Sequence, residues 1–328
     1  MRVAAPMQYL ACPACHTRVF PHNTECTCGA ALTFDPEQGI FVADGLFCAR
    51  RAEIDCNWIA EDGGLCRACA MTRAIPDLSV PENIVLLTES ERAKRWMLIN
   101  LARWGWFTAA DTGPRPIFDM LSEMLAVGAT QVTMGHANGV ITINVMEADP
   151  TTRVERQHQL GELYRSMLGH MRHEMAHFLF ARLAALPGFL DAFRALFGDE
   201  RADYAAAIAA HYEAPKDPGA DYISAYATMH PHEDWAESAA HVLHLTDLTD
   251  SFMAVRLSGP QIPAPGYDAY AEHDGEALLT AAAQVAIAVN EINRALDNPD
   301  VYPFILTPRT REKLAFVHHY LSQGARMA

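Results

Sequence analysis

Apolar side chains recur at intervals of three or four through the middle of the chain, where Leu160, Leu163, Met167, Met171, Met175 and Phe178 share one helical face. No proline falls between Thr151 and Leu186, so the spacing predicts a helix there. Glu91 to Phe107 carries a similar stripe, with Trp96, Ile99 and Trp106 among its apolar positions. A further helix is expected from Pro231, a residue suited to the first helical position. Trp235, Ala239 and Val242 supply its stripe, and Glu233, Glu237 and then His241 its opposite face. The run from Ala277 to Val289 is broken by Thr280 and Gln284 and falls short of the ~20 apolar residues that span a bilayer, so it reads as a buried helix. Ala205 to Ala210 predicts a short alanine-rich helix.

Strands are fewer. Val140 to Val145 alternates, with Ile141, Ile143 and Val145 facing a core and Thr142 and Asn144 the other side. Gly135-His136-Ala137-Asn138-Gly139 before it reads as a turn, with His136 a turn residue. Val19-Phe20 and Ala31 to Phe34 read as short strands on either side of another turn. There is no internal repeat. The pattern predicts an α+β protein, mainly helical with a small mixed sheet. Pro76 and Pro81 suggest a boundary between a small head, residues 1–75, and a body, residues 76–328.

The cysteines change the picture of the head. All eight lie at or before Cys69. They form two quartets, Cys12, Cys15, Cys26 and Cys28, then Cys48, Cys56, Cys66 and Cys69. Four soft thiolates in a tetrahedron select zinc, and a CxxC turn brings two of them onto one ion. Gly29, next to Cys28, suits a knuckle whose amides point at sulfur. The first quartet therefore reads as a zinc ribbon. The second reads as another structural zinc site, although seven residues separate Cys48 from Cys56. Both would be closed by protein ligands, leaving no position for catalysis. His16 and His22 are expected to be solvated loop residues.

Charge narrows the partners. Lys and Arg number 25 against 40 Asp and Glu, a formal net charge of −15. Two four-thiolate zinc sites would make the protein more acidic still. Such a balance argues against a duplex nucleic-acid binder. The opening residues are too short for a secretory signal, and no run spans a membrane. A cytoplasmic location is expected, where paired cysteines favour metal over disulfides.

The candidate chemistry lies in Arg172-His173-Glu174-Met175-Ala176-His177. Residues four apart share a helical face, so His173 and His177 can hold one cation, with Glu174 beside them to take a proton from activated water. A third ligand is expected from Met229-His230-Pro231-His232-Glu233-Asp234-Trp235-Ala236-Glu237. Glu233 is favoured as ligand, with Glu237 accepting a hydrogen bond from a ligand imidazole. The reverse assignment and Asp234 are the alternatives. His241 and His244 are expected to cover the helix surface.

The chain resembles the family of zinc-binding metallopeptidases that carry an N-terminal zinc ribbon. The likeness rests on Cys-Pro-Ala-Cys with the later Cys-Gly, on Gly-His-Met-Arg-His-Glu-Met-Ala-His, on His-Pro-His-Glu-Asp-Trp-Ala-Glu, and on Tyr302-Pro303-Phe304. It implies a zincin-like body and no particular substrate. Glu233 to Glu237 is also similar to the glutamate helix of gluzincin peptidases of the lethal-factor type. That likeness implies Glu233 as zinc ligand and Tyr226, seven residues earlier, as a stabiliser of the transition state. The zincin likeness further implies that an extended peptide pairs with an edge strand above the metal, here Val140 to Val145.

The sequence thus predicts zinc-dependent hydrolysis of peptide bonds, with one catalytic and two structural zinc ions, a peptide or protein substrate, and a zinc ribbon able to dock a protein partner. The alternative is a catalytically silent zincin-fold scaffold. Nucleic-acid binding through the ribbon is disfavoured, because residues 1–75 hold six basic residues against eight acidic ones.

Overall fold

The head is built from two-residue and three-residue strands, and a two-stranded pair this short is marginal on its own. A computed structural model describes residues 10–61, 64–152 and 166–326. β1 (Leu10–Ala11) pairs antiparallel with β2 (Arg18–Val19), and β3 (Thr33–Asp35) with β4 (Ile40–Val42). The strands expected on either side of the first turn therefore exist, but each pairs with a different neighbour rather than with the other. Two single-turn helices follow, α1 (Arg51–Ile54) and α2 (Arg67–Ala70).

The described residues form two compact units that divide between Met171 and Arg172. The first holds both cysteine quartets and a four-stranded sheet. There β5 (Thr72–Ala74) and β6 (Ile117–Leu121) pair in parallel, β6 pairs in parallel with β8 (Val140–Asn144), and β7 (Gly135–Ala137) runs antiparallel to β8. The sheet order is β5-β6-β8-β7. The Val140 strand is thus an interior strand, and the edge role expected of it is overturned. The cause lies in the glycine-containing segment before it. Asn138 and Gly139 both take positive φ, 50° and 79°, which makes a tight hairpin and turns Gly135–Ala137, with His136, into the edge strand.

The helix expected over 91–107 runs instead from Pro81 to Arg103, as α3. Pro81 at its first turn needs no amide partner, so the helix starts ten residues earlier. It stops before Trp106 because Gly105 adopts φ 87° and closes the end, with Gly105 N–H bonded to Ala102 O at 2.9 Å and Trp106 N–H to Leu101 O at 3.1 Å.

The second unit is helical: the part of α4 (Met167–Leu183) from Arg172 on, α5 (Phe189–Phe197), α6 (Tyr204–Glu213), α7 (Pro231–Ala254), α8 (Gly275–Ala295) and α9 (Pro308–Ser322). Leu160 and Leu163 lie outside the described residues. Among the described residues no helix is long and apolar enough to cross a membrane. Helix α7 is buried almost all round, so the polar face expected on it packs inside the protein. Lys313 on α9 bonds Asp234 on α7 at 2.6 Å, both side chains under 5% exposed. Trp235 carries the join between α4 and α7. Its indole N–H donates to Ala176 O at 2.9 Å, and its ring meets Phe180, Phe189 and Phe193 edge-on. Trp235→Ala is expected to cost about 3–5 kcal/mol in a denaturant titration. A cost under ~1 kcal/mol would mean that this cluster does not hold the two helices.

Candidate metal centres

Each cysteine quartet converges. The sulfurs of Cys12, Cys15, Cys26 and Cys28 lie within 4.8 Å of one another, and so do those of Cys48, Cys56, Cys66 and Cys69. None of the eight is in a disulfide. A tetrahedron with Zn–S bonds of ~2.3 Å has edges of about 3.7 Å. Cys12–Cys28 at 3.9 Å, Cys15–Cys26 at 3.6 Å, Cys56–Cys66 at 3.6 Å and Cys56–Cys69 at 3.7 Å fit that size. The long Cys48–Cys56 interval is spent on α1, which ends at Asp55 in the left-handed region, φ 49°. Amides point at sulfur in this second quartet, Cys66 N–H to Cys48 Sγ at 3.3 Å and Cys69 N–H to Cys66 Sγ at 3.4 Å. At Gly29, where this was expected, the amide bonds Cys26 O instead. All four sulfur residues of the second quartet are buried, whereas Cys15 and Cys28 of the first are exposed.

The third cluster lies in the second unit. One turn of α4 brings His173 and His177 to the same face, with Nε2 atoms 3.2 Å apart. Glu233 comes from the first turn of α7, where the helix dipole favours a carboxylate. His230 starts that helix: its Nδ1 accepts from His232 N–H at 3.1 Å, while Nε2 donates to Ala202 O at 3.0 Å. Glu233 Oε2 lies 2.9 Å from His173 Nε2, and Oε1 3.4 Å from His177 Nε2. With bonds of about 2.0–2.1 Å, tetrahedral ligand atoms stand ~3.3 Å apart. Two nitrogens and an oxygen at this spacing suit zinc.

Glu237 stands one turn on. Its Oε1 accepts from the Nδ1–H of His173 at 2.9 Å, and its Oε2 accepts from Ser224 Oγ at 2.6 Å. This fixes the imidazole with Nε2 turned to Glu233 and His177. Burial opposes the charges, but the hydrogen bonds to Glu233 and Glu237 raise His173 well above its usual value. Glu233, despite burial, is held well below the carboxylate range by His177 and His173.

Glu174 is 7% exposed, and its Oε2 meets no hydrogen-bond donor among the described residues. Tyr226, on a short 3-10 turn, has its ring 5.8 Å from that of His173. Burial, then the charge of Glu233, pushes its phenol above the usual range. Asp234 bonds Lys313 and is not in the cluster. Two neighbours are invisible in the sequence. Tyr204 donates to Glu233 Oε1 at 2.7 Å, and Ser224 holds Glu237. Neither lies in a motif, since α6 and the Ser224 turn meet α7 only through folding.

His241 and His244 are corrected from surface residues to buried ones, at 3% and 6% exposure. His241 Nδ1 meets Tyr302 hydroxyl at 2.7 Å, and His244 Nδ1 meets Arg172. Burial pushes His241 and His318 down to about 4. The unfolded histidines titrate near ~6.5, so between these pH values the unfolded chain binds protons that the native chain does not. Stability present above pH ~6.5 is therefore lost as pH falls toward ~4, by up to about 3 kcal/mol per histidine. Urea midpoints should fall over this interval, and less steeply in His241→Asn, a comparison in which release of bound metal is common to both proteins. Parallel slopes would contradict this.

The chain matches the family described as "Putative zinc-binding metallo-peptidase" over residues 83–320. It is 32% identical, over 330 aligned residues, to uncharacterized proteins of Mycobacterium tuberculosis and Mycobacterium bovis, covering 96% of this chain and 95% of each relative. No solved structure matches it. The chain thus belongs to the zinc-binding metallopeptidase family that residues 83–320 match.

Proposed function

We propose that the chain hydrolyses peptide bonds on a zincin-like body of gluzincin type, with a zinc ion held by His173, His177 and Glu233 and with Glu174 as general base. The observation that carries this reading is the convergence of the three ligand atoms within 4.8 Å, together with the buried, unpartnered Oε2 of Glu174, the residue next to His173 on the same helix. When bound there, zinc supplies Lewis acidity and lowers the pKa of water toward about 7.

The remaining steps belong to the chain's own side chains. Glu174 takes the proton from the attacking water and delivers it to the leaving amine. Glu237 keeps His173 in the tautomer that presents Nε2, and Ser224 keeps Glu237 in place. Tyr226, whose phenol stays protonated, donates to the oxygen that gains charge as the carbonyl is attacked. The quartets hold two further, structural zinc ions in a head spanning residues 1–75, ahead of a peptidase body spanning 76–328. Thiolate metal sites fit a reducing compartment such as the cytoplasm, and the ribbon is the surface offered to a protein partner.

The test is cleavage of an unbiased peptide library by the wild type beside Glu174→Gln. Cleavage by the wild type alone supports the reading. Equal cleavage by both overturns the mechanism, and no cleavage by zinc-loaded wild type favours the silent scaffold.

A further inference from the structure

Tyr204 opens α6, a ten-residue helix none of whose residues is buried. Its side chain is an exception to the outward habit of that helix. The residue is 41% exposed, yet its hydroxyl reaches Glu233, which is 1% exposed, and donates to Oε1 at 2.7 Å. The start of α6 is fixed for this contact. Asp203 caps the helix by accepting from Ala206 N–H at 3.0 Å, and the Tyr204 ring meets His230 edge-on at 5.2 Å. His230 in turn donates to Ala202 O, tying the chain just before α6 to the first turn of α7.

The two oxygens of Glu233 are thereby made unequal. Oε1 is engaged by the phenol, with His177 Nε2 farther off at 3.4 Å. Oε2 faces His173 Nε2 at 2.9 Å. We propose that Tyr204 is a positioning residue whose hydroxyl holds Glu233 Oε1, so that the carboxylate offers a single oxygen, Oε2, to zinc shared with His173 and His177. The inference rests on the zinc-site assignment made above. A carboxylate with both oxygens free can tilt and chelate, taking the coordination position that a hydrolytic site leaves for water. One fixed oxygen prevents this. Outer hydrogen-bond partners of metal ligands commonly account for about 10–100-fold in metal affinity.

The experiment uses the full chain at a series of buffered free-zinc concentrations, counting bound zinc by mass spectrometry of the metal. Wild type, Tyr204→Phe, Tyr204→Leu and Glu233→Ala are compared, with circular dichroism to confirm folding. Wild type is expected to saturate at about three zinc ions. Tyr204→Phe keeps the ring against His230 and removes only the hydroxyl. It is expected to bind the third zinc about 10–100-fold more weakly while holding the other two unchanged. A second readout is the visible absorption of cobalt(II) exchanged into the third site, which weakens as coordination number rises. Tyr204→Phe should weaken it, and a merely packing role for the ring would leave it unchanged. If Tyr204→Phe matches wild type in affinity and absorption while Tyr204→Leu does not, the ring packs and the hydroxyl has no role, which overturns the inference alone. If Glu233→Ala still binds the third zinc as wild type does, the zinc-site assignment fails, and the inference fails with it.

Discussion

Glu174→Gln is expected to keep its full zinc complement and to lose peptide hydrolysis, by about 10²–10⁴-fold or more. The two effects separate because Glu174 is not among the three residues whose ligand atoms converge. Glutamine has nearly the same shape as glutamate, so α4 should keep His173 and His177 in place. What it lacks is the ability to accept a proton. The carboxylate is 7% exposed, with Oε2 unpartnered among the described residues, so no structural hydrogen bond through that atom is broken by the change. Metal analysis and single-turnover cleavage on the same preparation check both halves. A variant that loses zinc together with activity would show that Glu174 supports the site rather than serving as base, and undiminished turnover would exclude it from the chemistry.

The second large effect is expected from Cys56→Ser combined with Cys69→Ser. Bound zinc should fall from about three ions to about two, and the segment from Cys48 to Ala70 should become protease-sensitive. Helices α1 and α2 have four residues each, far below the ~12–15 at which an isolated helix becomes marginal. Structural zinc binding in small domains is worth about 10–16 kcal/mol, more than removing any single core side chain at ~2–5 kcal/mol. Burial adds to the effect, since all four cysteines of this quartet are enclosed. Cys15 and Cys28 of the first quartet are exposed, so the loss of that pair should be milder. Undiminished zinc content and melting temperature in the Cys56/Cys69 variant would refute the assignment.

Much of the site is legible in the order of residues alone. His173 and His177 sit four apart, and a helix of any tilt puts them side by side. Pro231 and the acids after it mark a helix start, and α7 begins there. The departures from the sequence pattern have physical causes. Gly135 to Gly139 contains the residues of a turn, but a two-residue hairpin needs only Asn138 and Gly139, so the three residues before them are free to pair. The polar row of α7 resembles a solvent face because charge usually marks one. Here each member has a partner: His173 for Glu237, Tyr302 for His241, Arg172 for His244. A buried polar group is tolerable once it is hydrogen-bonded, and a single sequence does not reveal the partner.

By itself the sequence marked the two thiolate quartets, the paired histidines and the glutamate helix, because each is a recognisable run of metal-binding residue types at short spacing. Only the tertiary structure decided which carboxylate, Glu233 or Glu237, stands beside both imidazoles, and it gave Glu233 a phenol from α6 that no spacing connects to it. The crossing of α7 over α4 chose between two glutamates that share one helical face. That crossing is fixed by packing, with Trp235 bonded to Ala176 O, and packing joins residues 59 apart in the chain.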